Sequence, residues 1–457
     1  MLSIDPSIET IRVAWCDLHG QIRSKSMPAG HIQQALQDTP TGKPYLDWAV
    51  GMVGTLMLKD TSDRTAFKVF ESAQASPWSE AAKFANASNL TLKIPADAPR
   101  LHPLPWTDPT RREAWLFTEP FFNDGTPVGL DARRILQAAI AKLQTAGYAM
   151  RCGLEIEFHI YKIEDESEAL NPETAAWPGL APRVSLLHPG YQLLSDAYTD
   201  RCHAPLEIVR QTALGLGLPL TSLEIEFGPS QFEAVFDVQD ALTAADSMVL
   251  FTNGVRQALR RAGYHATFMC RPPFPNIMSS GWHLHQSLVE INSNQSVDIS
   301  KNYLAGLIQH GRAMAAFAAP SVSSYARYQP NVLAPHTVSW GMDSRAAMLR
   351  VLPNRLENRV GEPMANPYLY IASQIYAGLH GLEAKLAVPP ENDPAAKPLP
   401  ASLAESLDAL ELDATYLAGF GKDFIAYYCH IKRFELARYE TADDKLAWLK
   451  SEYFNRF

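Results

Sequence analysis

Gly153-Leu154-Glu155-Ile156-Glu157-Phe158-His159-Ile160-Tyr161 decides how the rest of the chain is read. Leu154, Ile156, Phe158 and Ile160 alternate with Glu155, Glu157 and His159, the period of a β-strand with one apolar and one polar face. Two carboxylates then stand side by side on one face, tolerable only if water solvates them, a proton is retained or cations neutralise them. A solitary ExE is most simply a solvated strand face. Here the device is repeated. Leu223 to Phe236 reads as two short strands around a Gly228-Pro229 turn, with Glu224 and Glu226 on one face of the first and Gln231 and Glu233 on one face of the second. In Gly281 to Leu288, His283 and His285 share a face while Trp282 and Leu284 take the other. In Asn354 to Val360, Arg355, Glu357 and Arg359 share one. Such strands can surround a polar hollow, where carboxylates and imidazoles suit divalent cations and guanidinium groups suit phosphate or carboxylate.

The composition sets bounds on this reading. The chain has 457 residues, 47% hydrophobic and 19% charged, which suits a globular protein of two or three domains. A net charge of -9 gives no basic footprint for nucleic acid. The five cysteines, Cys16, Cys152, Cys202, Cys270 and Cys429, are scattered and form no CxxC, so a disulfide framework is not expected and a reducing compartment is. No apolar run reaches the ~18 residues of a membrane span, and Asp5 and Glu9 precede any sustained apolar run, against a signal peptide. A cytoplasmic protein with no membrane or nucleic-acid partner is expected.

Outward from the organising strand, residues 11–25 read as a β-hairpin with a Gly turn, His31 to Gln37 as a short helix, and Met52 to Leu58 and Leu90 to Ile94 as strands. Pro95, Pro99, Pro103, Pro105 and Pro109 crowd one stretch and suggest a boundary between a small domain, 1–105, and a large one, 106–457. Helical periodicity appears at 130–146, 204–216, 240–262, 301–318 and 366–386, and 402–457 reads as two or three more helices. The expected class is α+β, with an antiparallel, one-sided sheet and helices outside.

Together the motifs resemble a known family. GxExEF at 153–158, ExGPxQxE at 226–233, SGxHxHxSL at 280–288, SRxxxLRxLP at 344–353 and RxExRxxxxxANPYL at 355–369 resemble the catalytic domain of type I glutamine synthetases. Val13 to Lys25 is similar to that family's N-terminal β-grasp domain. The resemblance implies a metal-lined funnel holding two or three Mg²⁺ or Mn²⁺ ions and ATP. Glu157, Glu226 and Glu233 would hold one ion, and Glu155, His283 and Glu357 another. His285, Ser287, Arg345, Arg350 and Arg355 would face the ATP phosphates. Glu157, Glu226, Ser279, His283, Arg327 and Arg359 would surround glutamate, and Arg345, Arg327 and Arg359 would serve the reaction itself. It further implies self-association into rings, with a dodecamer expected.

The chain departs from the ammonia-using members at two places. Leu333 stands where they carry a loop Glu, and Met278-Ser279 replaces their Asn-Gly before SGxH. An organic amine brings apolar surface worth about 25 cal/mol per Å² buried, which ammonium lacks. The favoured expectation is therefore an ATP-dependent ligase joining the γ-carboxylate of glutamate to an organic amine through γ-glutamyl phosphate, with Met278, Leu333 and Trp282 as candidate amine contacts. The alternatives are a glutamine synthetase using ammonia and a catalytically silent structural or regulatory member.

Overall fold

The structure, a computed structural model, describes residues 4–70, 78–96, 100–173, 179–328 and 333–457. The hairpin read from residues 11–25 is β1 (Ile8–Cys16) and β2 (Ile22–Pro28), antiparallel, with Gly20 at φ 76° in the turn. The helix Ala29–Asp38 follows, as expected. Five further strands complete the small unit: β3 (Tyr45–Val53), β4 (Asn89–Pro95), β5 (Arg100–Pro103), β6 (Arg112–Phe117) and β7 (Glu119–Phe121). One sheet has the order β2-β1-β6-β5 and the other β3-β4-β7.

Two expectations are corrected here. The boundary at 105/106 cuts through a sheet, because β6 lies beyond it yet runs parallel to β1 and pairs Val13 with Leu116. The proline-rich stretch is a connection inside the small unit, whose β5 it contains, and not a linker between units. The strand read over Met52 to Leu58 ends at Val53, where Gly54 donates to the Ser88 carbonyl at 3.0 Å and a short helical turn begins.

The large sheet contains β8 (Tyr148–Asp165), β9 (Arg183–Leu186), β10 (Leu220–Ile225), β11 (Gln231–Asp240), β12 (Tyr264–Thr267), β13 (Trp282–Glu290), β14 (Trp340–Met342), β15 (Leu349–Leu352) and β16 (Arg355–Asn358). Its order is β10-β11-β8-β13-β16-β15-β14, with β9 and β12 pairing the long β8. Every pairing is antiparallel except β14 with β15. The apolar half of the organising strand, Leu154, Ile156, Phe158 and Ile160, is buried in the main core. Burying each of these side chains stabilises the fold by roughly 1.5–3 kcal/mol. The helices Ala132–Thr145 and Ala241–Arg261 cover that face, and Pro367–Glu383 packs on both. Each begins where its sequence supplies a cap: Asp131 accepts from Arg134 N–H, Asp240 from Leu242 and Thr243, and Asn366 from Tyr368 and Leu369 ahead of Pro367. The opposite, polar face of the sheet is left for chemistry.

Beyond residue 402 the described chain forms four α-helices, Leu403–Leu412, Ala414–Phe420, Lys422–Glu440 and Lys445–Leu449, the last running into a π-helical turn, Lys450–Phe454, more than the two or three helices expected. They tie back to the small unit. Arg438 pairs with both Asp60 and Glu452, and Arg456 holds Asp63 at 2.7 Å and the Thr61 carbonyl at 2.9 Å. No helix among the described residues is long and apolar enough to cross a membrane.

The helix Asn302–Gln309 crosses Pro367–Glu383 at its closest where Gly306 faces Gly381. A Cβ at Gly306 would meet the Ala377 carbonyl oxygen at 2.1 Å. Alanine normally favours a helix over glycine by about 1 kcal/mol. Here the obstruction is backbone and cannot swing aside, so Gly306→Ala should lose about 1–3 kcal/mol and lower the Tm in calorimetry.

Candidate active site

Strand register brings the polar residues together. Across β11, β8, β13, β16 and β15, Glu233 stands opposite Glu157, Glu155 opposite His283, His285 opposite Glu357, and Glu357 opposite Arg350. Residues far apart in sequence thus become cross-strand neighbours on one face. His283 Nδ1 lies 2.8 Å from Glu155 Oε1, and His285 Nε2 lies 3.0 Å from Glu155 Oε2. His283 also stands 3.8 Å from Glu157 and 3.7 Å from Glu357.

Guanidinium groups close one side. Arg350 donates to Glu357 Oε2 at 2.9 Å and also binds Asp343, and Arg359 pairs with Glu357. Arg355 Nε donates to His285 Nδ1 at 3.2 Å. Arg327, on the helical turn Ser324–Arg327, donates to the Arg359 carbonyl at 2.8 Å and reaches to 3.3 Å from His283 Nε2. That approach needs Gly281, where a Cβ would sit 2.4 Å from Arg327 Nη2. Arg345 is exposed and acts on Asp343, the carboxylate that also binds Arg350. Ser287 lies on β13 on the same face as His283 and His285.

Gln231, which the reading of the sequence placed on the right face without a role, orients the carboxylates. It is buried, donates to Glu157 Oε2 at 3.1 Å and to Ser280 Oγ at 3.2 Å, and accepts from Gly228 N–H at 2.9 Å. Its alternation with Glu233 was the available signal. Gly281 N–H donates to Glu157 Oε2 at 2.8 Å. Tyr191, with its ring 4.8 Å from Phe227, borders the turn that carries Glu226, and no sequence pattern marked it. Met278 lines the same turn, where a Cβ on Gly228 would sit 2.7 Å from its own, and Ser279 Oγ accepts from Arg271 at 3.1 Å. Leu333 is exposed on its loop, its carbonyl accepting from Arg359 at 3.0 Å, and the neighbouring 329–332 lie outside the described residues. Trp282 is corrected: it is fully buried, edge-on to Tyr370 at 5.0 Å, because it occupies the apolar side of β13 and faces away from His283.

Among the described residues, two groups of side chains are compact enough to hold a metal ion. Glu155, Glu233 and His283 each offer a ligand atom within 4.8 Å of the others, and so do Glu155, His285 and Glu357. This differs from the expected sets of Glu157, Glu226, Glu233 and of Glu155, His283, Glu357. The Glu157 and Glu226 carboxylates are instead taken up by N–H groups of Gly281 and Phe227, the latter at 2.7 Å, which keeps like charges apart. Glu155 is common to both compact groups.

The electrostatics support cation binding. Burial would raise the Glu155 carboxyl, but hydrogen bonds with His283 and His285 hold it well below the usual range. Glu357 is likewise held low against burial by His283 and Arg359. Burial pushes Glu157 up to about 7, with Arg327 opposing and Glu226 adding to the rise. Glu233 is raised further by burial and by Glu155, Glu157 and Glu226. The metal-free hollow therefore retains protons near neutral pH that a divalent ion must displace.

Carboxylates raised in the folded state stabilise it fully below their ordinary value of 4.5 and progressively less as pH rises through about 7. The Tm of metal-free protein should fall between about pH 4.5 and 7, and saturating Mg²⁺ should remove that slope. Calorimetric titration of Mg²⁺ in buffers of different ionisation enthalpy should show proton release, with affinity rising with pH. A flat Tm profile without proton release would contradict the raised carboxylates.

Comparison with known proteins agrees with this geometry. A family model described as the glutamine synthetase catalytic domain matches residues 129–450, beginning after β7 and so clear of the N-terminal sheets. The chain is 34% identical over 490 aligned positions to γ-glutamylanilide synthase of Acinetobacter sp, spanning 98% of this chain and 93% of that protein. It is 30% identical over 363 positions to a γ-glutamylethanolamide synthetase of Streptomyces coelicolor, spanning 76% of each. A solved structure described as a novel glutamine synthase homolog shares the fold with a TM-score of 0.76 at 22% identity, covering 99% of this chain and 100% of that one. With a small β-rich unit ahead of a carboxylate-lined sheet, and the family model spanning most of the chain, this protein belongs to the glutamine synthetase family.

Proposed function

We propose that this chain is an ATP-dependent ligase that joins the γ-carboxylate of glutamate to an organic amine through γ-glutamyl phosphate. The carrying observation is the convergence of Glu155, Glu157, Glu233, His283, His285 and Glu357 beside Arg327, Arg350, Arg355 and Arg359 on one face of the sheet. Similarity over almost the full length to a γ-glutamylanilide synthase supports the choice of an organic acceptor.

A carboxylate oxygen is a poor leaving group, and phosphorylation makes it a good one. One carboxylate oxygen of glutamate attacks the γ-phosphorus of ATP and ADP departs. The amine nitrogen then attacks the acyl carbon, phosphate leaves and the nitrogen loses a proton. Glu155, Glu233, His283, His285 and Glu357, with Glu157 and Glu226 beside them, would hold two or three Mg²⁺ or Mn²⁺ ions, which when bound would neutralise charge on the phosphates and the carboxylate. Arg350 and Arg355, with Arg345 at the rim, face the transferring phosphate, while His285 and Ser287 border the nucleotide. Arg327 and Arg359 hold the carboxylates of glutamate, as bidentate guanidinium groups do well. Ser279 and His283 complete that wall.

The acceptor's side chain lies against Met278, Phe227 and Tyr191, with Leu333 from the loop. None of these is acidic, which suits an alkyl or aryl amine with apolar surface to bury better than a polyamine or ammonium. We place the enzyme in the cytoplasm as a ring-forming homo-oligomer, a dodecamer, whose mass light scattering will read directly.

Phosphate release from ATP and glutamate should be fastest with aniline, ethanolamine or a small alkylamine, each giving the γ-glutamylamide by mass spectrometry. Ammonium saturating at low concentration with the best turnover would overturn the organic-amine reading. Glu357→Gln, which keeps the shape and removes the charge, should lower phosphate release by at least ~100-fold while far-UV circular dichroism stays unchanged. Undiminished turnover would favour a catalytically silent family member.

A further inference from the structure

The seam between the small and large units holds a cavity of about 490 Å³, away from the carboxylate hollow, in the size range typical of ligand pockets. Its walls carry the guanidinium groups of Arg12 on β1 and of Arg256, Arg260 and Arg261 along or at the end of the helix Ala241–Arg261. Among the described residues no carboxylate lines it. The charges are unbalanced. Arg12 is matched by Glu113 at 2.6 Å and Arg260 by Glu166, but Arg256 and Arg261 have no carboxylate partner among the described residues.

Arg256 is the sharpest case. Its hydrogen bond from Nη1 goes to the neutral Gln21 Oε1 at 2.7 Å. Burial, with the nearby cations Arg456 and Arg260, pulls its guanidinium down to about 10. Arg256 is half-buried, and a partly desolvated cation among cations is costly unless an anion joins it. In a protein with a net charge of -9, such an excess of positive charge is a local feature and not a general one. Trp106, also on the wall, has an indole N–H buried without a partner among the described residues. Tyr264 at the start of β12 adds a second aromatic surface.

We propose that this cavity is a second ligand site, for a small phosphate monoester whose phosphoryl group sits among Arg256, Arg260 and Arg261. Three non-bridging oxygens and a double negative charge match several converging N–H donors better than a single carboxylate does. The aromatic rings and Ile22 would face the organic part. Because Arg12, Gln21 and Ile22 belong to the small unit and Arg256 to the large one, a bound anion bridges the two and stabilises their seam. The site does not depend on which amine the enzyme uses.

The test uses the full-length protein without ATP or metal, with inorganic phosphate and glycerol 3-phosphate as probes at 0.15 M salt. Calorimetric titration should show saturable binding that raises the Tm, and Arg256→Gln should weaken it on the order of 10- to 100-fold. Arg350→Gln, in the catalytic hollow, should leave it unchanged. Gln21→Glu supplies the missing carboxylate from within, so it should raise the phosphate-free Tm, abolish the phosphate-dependent gain and leave turnover at saturating substrates unaltered. No binding at millimolar phosphate, or equal binding by wild type, Arg256→Gln and Gln21→Glu, would overturn the proposal. If phosphate fails to bind and Gln21→Glu changes the oligomeric mass, the arginines instead serve a contact between copies, which also overturns it.

Discussion

Like charges forced together on one face of a sheet govern this molecule. Glu155, Glu157, Glu226 and Glu233 cannot all be ionised within a few ångströms in a partly dry hollow without help. Each neutralising device in the structure answers that requirement. His283 and His285 hold Glu155 ionised, Arg350 and Arg359 hold Glu357, and Glu157 and Glu233 keep protons instead. The hollow thus has an ionised half beside β13 and β16 and a proton-retaining half beside β11. Divalent ions complete what histidines, arginines and protons achieve only partly, and the same positive charge makes a nucleotide's phosphates welcome in an acidic protein.

The main strands were legible because burial on one face writes a period of two into the sequence. β8, β13 and β16 appear where alternation placed them, and the family motifs fall on their polar side. The same alternation already put Trp282 on the opposite face from His283, so its assignment to the amine contradicted the pattern that located the strand. What could not be read was pairing over long separations. Nothing local in Arg112–Phe117 reveals that it lies parallel to Ile8–Cys16, so prolines in a connection passed for a domain boundary. The partner of Gln231 was unreadable for a related reason: alternation put it on the polar face, but the Glu157 it bonds lies 74 positions away.

The metal groups show a subtler limit. Family motifs assign ligands by position, whereas the relaxed side chains distribute themselves by charge. Glu226 turns to the adjacent Phe227 N–H and Glu157 to Gly281, and His285 joins a group for which His283 was expected. Backbone register puts all the donors in one place, and rotation about side-chain bonds decides which of them meet first. Phe227 follows Glu226 in the same turn, with the Tyr191 ring 4.8 Å from its own and Met278 packed against Gly228.

The ties from Arg438 to Asp60 and from Arg456 to Thr61 bear on how the chain acquires its shape. They join residues separated by 378 and 395 positions, and β1 waits for β6 across about a hundred more. Loop-closure entropy makes such distant contacts slow to form. During synthesis the leading segment must leave the ribosome with its docking surface still missing, and nearly the whole polypeptide has to emerge before that surface can be covered. Prolonged exposure of this kind invites chaperone capture, and it favours maturation in which the large sheet consolidates first and the opening segment locks on last.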